Sequence, residues 1–277
     1  MASYDASRGC YVIRVVYDGP GYAGKTTNLE RISQMVPATR RSEMYTPAAL
    51  KGRTMFFDWL EVDGPKHFET SLKFQLISVP GQIERNYRRK PLVEMADVLV
   101  FVCDSSVQKM PDSLRCFARL RSSIKQRETP VPLVVQANKQ DTPGAASLEE
   151  IAARLGLAAE VPLVSAAACT GAGVQETLRW AARFGVDGLR KSGNVDLLPP
   201  EFANADALFD HVLGFEDVPN PNAVVEVEEV DVHASYAPVN EAALAAHLSA
   251  ASMDSLLFRA RKAAARNPEE PEAPPAE

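Results

Sequence analysis

Residues 11–27 read YVIRVVYDGPGYAGKTT, and no other stretch restricts the possible folds as strongly. Apart from Arg14, residues 11 to 17 are β-branched or aromatic. They are bounded by Gly9 and by Asp18-Gly19-Pro20, which predicts a buried strand. Lys25 to about Gln34 read as a helix, so a strand passes into a helix through a loop almost bare of side chains. Glycine reaches backbone angles closed to other residues and lets successive N–H groups converge on one point. Gly19-x-x-x-x-Gly24-Lys25-Thr26 has the spacing of a phosphate-binding loop. Gly21, Tyr22, Ala23 and Thr27 supply further main-chain amides, and the positive end of the helix adds to the attraction. In such a loop Lys25 reaches the β- and γ-phosphates and the Thr26 hydroxyl meets Mg2+.

The rest of the chain fits an α/β body. TMFFDWLEV (54–62) and SLKFQLISV (71–79) alternate in part and predict two antiparallel strands joined by a turn around Asp63-Gly64-Pro65. Residues 36–52 are polar and read as a mobile segment. The apolar runs DVLVFVCD, PLVVQAN and VPLVS are each followed by a polar or helix-forming stretch, including 112–127, 147–156 and 173–191. Continuous apolar strands separated by helices make a mostly parallel sheet covered on both faces. The predicted sheet has six strands with one antiparallel edge strand.

Composition narrows the function classes. No apolar run approaches the roughly 20 residues a membrane span needs. The four cysteines (Cys10, Cys103, Cys116, Cys169) and four histidines are scattered, which indicates neither a zinc site nor a disulfide frame and fits a reducing cytoplasm. Up to residue 191 there are 26 Lys and Arg against 20 Asp and Glu, and from 192 onward 4 against 16. The predicted organisation is therefore a body over 1–191, a Pro-rich acidic linker over 192–239, and a helix with an acidic, disordered tail over 240–277. That tail is either simply solvated or folds back on the basic body. The run Arg85, Arg88, Arg89, Lys90 reads as a solvated helix or a partner-docking segment. Nucleic acid is a poor fit, because no aromatic stacking pattern accompanies the run and the net charge is −6.

The motif QANKQD identifies the base. Asn138, Lys139 and Asp141 follow an apolar strand, at the sheet edge where ligands of open α/β folds bind. A carboxylate there accepts two hydrogen bonds from the guanine N1–H and exocyclic amine, a donor pair that adenine does not offer. Ser165-Ala166 end another strand and complete that edge.

With these motifs in order (GPGYAGKTTNL, GRTMFFDWL, SVPGQ, ADVLVFVCDSS, NKQD), the chain resembles the Ras-like small GTPases over residues 11 to about 190, and within them the bacterial MglA-type polarity GTPases. The resemblance implies a GTP/GDP switch with Mg2+ that hydrolyses GTP slowly. It implies that Gly81 meets the γ-phosphate, that Gln82 orients the attacking water, and that Arg53 supplies a cation from the same chain; otherwise Arg53 is a solvated residue ahead of a strand. Thr54, with Thr46 as the alternative, would meet Mg2+ in the GTP state. Ser78 stands where Ras-like proteins carry the acid of their D-x-x-G motif, as in the MglA group. Segments 36–54 and 79–91 would move between nucleotide states. Also implied are a roadblock-domain (MglB-like) activating protein, effector proteins, recruitment to a cell pole, and a role in polarity or motility. The competing expectation is a GTP-loaded scaffold that scarcely hydrolyses and works through its C-terminal extension. An ATP-using enzyme is disfavoured by Asp141.

Overall fold

The computed structural model describes residues 3–45, 57–67, 70–79 and 86–192. Within these, seven strands form one sheet: β1 (Ser3–Asp5), β2 (Cys10–Asp18), β3 (Asp58–His67), β4 (Thr70–Ser78), β5 (Val98–Asp104), β6 (Leu133–Asn138) and β7 (Leu163–Ser165). Six of them lie in the order β3-β4-β2-β5-β6-β7. The β2–β4, β2–β5, β5–β6 and β6–β7 pairs are parallel, and β3–β4 is antiparallel. The predicted mostly parallel α/β sheet is thus present. The N-terminal β1 adds a strand that the hydrophobic pattern, at three residues, is too short to announce. It pairs antiparallel with residues 10–12 of β2, whereas β5 begins its pairing with β2 at Val15.

Among the described residues five α-helices cover the two faces: α1 (Lys25–Met35), α2 (Asn86–Met95), α3 (Met110–Lys125), α4 (Leu148–Leu155) and α5 (Val174–Lys191). Strand alternation sorts the core into two layers. Ile13, Val15 and Tyr17 of β2 join Leu60, Leu76 and Val100 against α1 and α5. Val16, Trp59, Ile77, Leu99 and Phe101 face α2, α3 and α4. β5 is buried at all seven positions, as a strand with helices on both faces requires. Gly185 of α5 meets the sheet so closely that a Cβ there would lie 2.5 Å from the Ile13 side chain.

Two local expectations are corrected. β3 does not turn at Asp63-Gly64-Pro65: it continues to His67, with a register irregularity between Asp63 and Lys66. A bulge lets Pro65, which has no N–H to donate, stay in the strand. Gly64 packs where a Cβ would stand 2.8 Å from the Leu72 carbonyl oxygen. Residues 41–45, expected to be mobile, instead lie along β3. Tyr45 and Trp59 exchange both backbone hydrogen bonds at 2.9 Å, and Ser42 N–H donates to the Glu61 carbonyl. This short ladder covers part of the outer edge of β3.

The body-plus-tail division proposed for 192–277 lies outside the described residues beyond Ser192, including the helix expected at 240–266. No described helix is long and apolar enough to cross a membrane.

Candidate nucleotide site

The glycine loop leaves β2 at the carboxyl edge of the sheet. Gly19 has φ +152°, and a Cβ there would stand 2.3 Å from the Val102 carbonyl oxygen. Gly24 has φ +96°, and its Cβ would meet the Asn138 amide nitrogen at 2.2 Å. Only glycine satisfies both the angle and the clearance at these two positions. Tyr22 occupies the left-handed region at φ +64° with its side chain 87 % exposed. Lys25 is buried: its Nζ donates to the Gly19 carbonyl at 3.1 Å and to the Pro20 carbonyl at 2.7 Å. Burial lowers its pKa, and the charge of Asp18 opposes that shift. The lysine therefore sits poised beneath the loop with two weak acceptors, which a polyphosphate would replace with stronger ones.

Asn138 stitches the base motif to the loop. Its Nδ2 donates to the Ala23 carbonyl at 2.7 Å, and its Oδ1 accepts from the Ala168 N–H at 2.8 Å. Gln140 N–H donates to the Ala166 carbonyl at 3.0 Å. The Asp141 carboxylate accepts from the Cys169 thiol at 3.0 Å, in the loop that follows Ser165-Ala166 at the end of β7. Lys139, at φ +68°, pairs with the buried Asp104 at 2.8 Å. Below the loop an amide chain locks α1 to β6 and α5. Asn28 and Gln136 exchange two hydrogen bonds at 2.8 Å, and Gln136 also donates to Thr177. The fold thus brings together Gly19, Gly21, Tyr22, Ala23, Gly24, Lys25, Thr26 and Thr27 with Asn138, Lys139, Asp141, Ser165 and Ala166. The other candidates, Arg53, Thr54, Thr46, Gly81 and Gln82, lie outside the described residues.

The sequence reading missed Asp58. The Thr26 hydroxyl donates to its Oδ2, and the Ser78 hydroxyl donates to the same atom at 2.8 Å. Asp58 opposes Ser78 in the β3–β4 register. Both lie two residues from leucines, Leu60 and Leu76, that face α1. Period-2 counting back from Leu60 would have pointed Asp58 at the start of α1. Thr26, Asp58 and Ser78 offer only hard oxygen donors with a single carboxylate. That set fits Mg2+, which keeps several waters and leans on substrate phosphates. Among the described residues no cluster of three or more His, Cys, Asp or Glu is gathered that could hold a metal by itself.

A second correction concerns Arg89. It does not lie on a solvated face: it is 8 % exposed and its guanidinium pairs with Asp18, which is wholly buried. Strand alternation turns Asp18 away from α1 and toward α2 and α3, where Arg89 of α2 comes within reach to pair with it.

Residues 11–184 match the ADP-ribosylation factor family. The chain belongs to the Arf/Ras-like small GTPase family. It is 33 % identical over 183 residues to the mutual gliding-motility protein MglA of Myxococcus xanthus (strain DK1622), covering 65 % of this chain and 93 % of that one. It is 30 % identical over 143 residues to ADP-ribosylation factor-like protein 4D of Mus musculus, covering 52 % of this chain and 65 % of that one. Within this family the chain is of the MglA type. The glycine loop, the Asn138 motif and the sheet order described above all fall inside the matched span.

Proposed function

We propose that the protein is a GTP/GDP switch that hydrolyses GTP slowly with Mg2+, is accelerated by a roadblock-domain partner, and serves bacterial polarity or gliding motility. The observation that supports the reading is the 2.7 Å bond from Asn138 to Ala23, which joins the glycine loop to the strand end that carries Asn138, Lys139 and Asp141. The motility role is drawn from the named Myxococcus relative. In this reading the loop amides and Lys25 hold the β- and γ-phosphates, Asp141 selects guanine, and Gly81 donates to the γ-phosphate. Thr26, Asp58 through its carboxylate, and Thr54 in the GTP state would hold Mg2+, which neutralises charge growing on phosphate oxygens when bound. Gln82 orients the attacking water, and Arg53 brings its fork of donors to the transition state.

Three measurements test this. Calorimetry with Mg2+ should give heat on adding GDP or GTP and none with ATP; silence with guanine nucleotides overturns the reading. Gln82→Leu should abolish turnover while GTP affinity stays within a few-fold, about 1 kcal/mol. Loss of both together would make Gln82 structural. Swapping Asp141→Asn should move preference toward xanthine nucleotides, and an unchanged preference would remove the argument for guanine.

A further inference from the structure

The end of β5 lies beside the base motif. Asp104 and Asn138 are the last paired residues of β5 and β6, and the Ser105 N–H extends the ladder by donating to the Asn138 carbonyl at 3.0 Å. Lys139 is the first residue past that edge. Its φ of +68° lies in the left-handed region, which among the described residues other than glycine only Tyr22 shares. Such a conformation persists only where the surrounding structure holds it, and it gathers at sites that bind or react.

Three sets of bonds hold this turn. The first is ionic: Lys139 Nζ pairs with Asp104 Oδ2 at 2.8 Å. Asp104 is 1 % exposed, and its Oδ1 accepts the Ser106 N–H at 3.0 Å and the Ser106 hydroxyl. Burial alone would raise the Asp104 pKa, but Lys139 and Ser106 outweigh it and keep the carboxyl below its ordinary range, so it is charged at neutral pH. The second runs through Gln140. Its N–H donates to the Ala166 carbonyl at 3.0 Å, and its Nε2 donates to Ser105 Oγ at 2.8 Å and to the Ala146 carbonyl at 3.1 Å. The third closes the turn itself, from the Thr142 N–H to the Lys139 carbonyl at 3.0 Å, with Asp141 inside it. Asp104 and Gln140 thus tie the two residues before Asp141 to the ends of β5 and β7 and to the loop ahead of α4.

Resting on the GTPase reading above, we propose that Asp104 and Gln140 are positioning residues that determine base specificity: they hold the left-handed turn at Lys139, and with it the direction in which Asp141 meets the base. A carboxylate takes the guanine N1–H and exocyclic amine together only when both of its oxygens lie in the plane of the base. A slack turn weakens both bonds, so a base that uses two loses more than a base that uses one.

The full-length chain is loaded with a fluorescent GDP analogue in Mg2+, and its displacement by GDP and by inosine diphosphate is measured. Hypoxanthine keeps the N1–H and lacks the exocyclic amine. The wild-type chain should prefer GDP by about tenfold or more, the scale of one hydrogen bond to a charged group. Asp104→Asn keeps the size and removes the charge that faces Lys139; Gln140→Ala removes both side-chain bonds and leaves the backbone one. Each should bring the preference to about threefold or less, with GDP affinity lowered about tenfold and inosine diphosphate affinity within about threefold of wild type. Where Gln140→Ala prevents folding, Ser105→Ala replaces it, removes one of the two side-chain bonds, and should lower the preference about threefold. A residue that only supports the fold would weaken both diphosphates alike. The inference is overturned if the two affinities fall in parallel or if the variants keep the wild-type preference. A wild-type chain that binds no guanine nucleotide, or binds both diphosphates equally, overturns the reading of Asp141 and this inference with it. Wild-type preference with indifferent variants overturns this inference alone.

Discussion

The phosphate loop is held from two sides by different chemistry. Toward β6, β7 and α5 the buried ties run through neutral amides: Asn138 to Ala23 and Ala168, Asn28 to Gln136, and Gln136 to Thr177. Toward β3, β4 and α2 the ties run through carboxylates: Asp58 with Thr26 and Ser78, and Asp18 with Arg89. Neutral amides satisfied on all sides need no counter-charge and keep one geometry whatever enters the site. Carboxylates respond to a cation, a phosphate or a proton. The side toward β6 and β7 therefore keeps one geometry, and the side toward β3, β4 and α2 carries charge that can change partners.

The sharpest way to break this comparison is Asn138→Ala. It strands the Ala23 carbonyl and the Ala168 N–H, each buried polar group costing about 1–3 kcal/mol. We expect a drop of several degrees or more in the thermal midpoint and a loss of GDP affinity of about 30-fold or greater, with or without Mg2+. A loss confined to Mg2+ conditions would contradict the division between the two sides.

Asp58→Asn tests the other side. It keeps the shape and removes the charge, so GDP affinity should fall about tenfold in Mg2+ and remain unchanged in EDTA. Titration of Mg2+ against a fluorescent nucleotide reads the difference. An equal loss in both buffers would make Asp58 a structural tie to Thr26 and nothing more.

Gln136→Leu should cost about 1–2 kcal/mol of unfolding free energy by removing the bonds from Gln136 to Asn28 Oδ1 and Thr177 Oγ1, with hydrolysis unaltered. Denaturant melts check the first figure and a turnover assay the second. A change in turnover would show that the amide side also moves with the reaction.

The smallest expected effect is in pH. Burial alone would raise the Glu61 pKa, but Arg8 Nη1 at 2.9 Å and Lys73 Nζ at 3.1 Å outweigh it and hold the carboxyl below its ordinary range. A folded value below the unfolded one of about 4.3 means that the contribution is complete above that pH and is lost as pH falls through the folded value. Thermal midpoints measured from pH 6 to 3 should fall, and Glu61→Gln should flatten the lower part of that curve. Asp18 carries the opposite sign: burial raises its pKa, so protonation stabilises the fold relative to the unfolded chain as pH drops. A Glu61→Gln curve as steep as the wild-type one would overturn the assignment to Glu61.

Much of the fold was legible because its signals are local. The strand–loop–helix of residues 11–34, the buried β5 and the spacing of α3, α4 and α5 follow from apolar pattern and glycine placement, within two residues of the predicted bounds. The errors came where pattern and pairing disagree. Gly64-Pro65 carries turn chemistry, but a bulge absorbs it because β4 offers β3 more hydrogen bonds by continuing. Residues 41–45 carry no strand pattern and pair with β3 because that edge is open. Arg89 stands in a basic run that reads as solvated.

The chain by itself determined that a glycine loop joins a strand to a helix and that Asn138, Lys139 and Asp141 stand at a strand end, since glycine angles and hydrophobic periodicity act over a few residues. Only the tertiary structure decided that Asp58 serves Thr26 and Ser78, and that Arg89 serves Asp18 from 71 positions away. Which partner answers a buried charge depends on what the folded core leaves within reach, because an ion removed from water takes whichever counter-charge the packing brings to it.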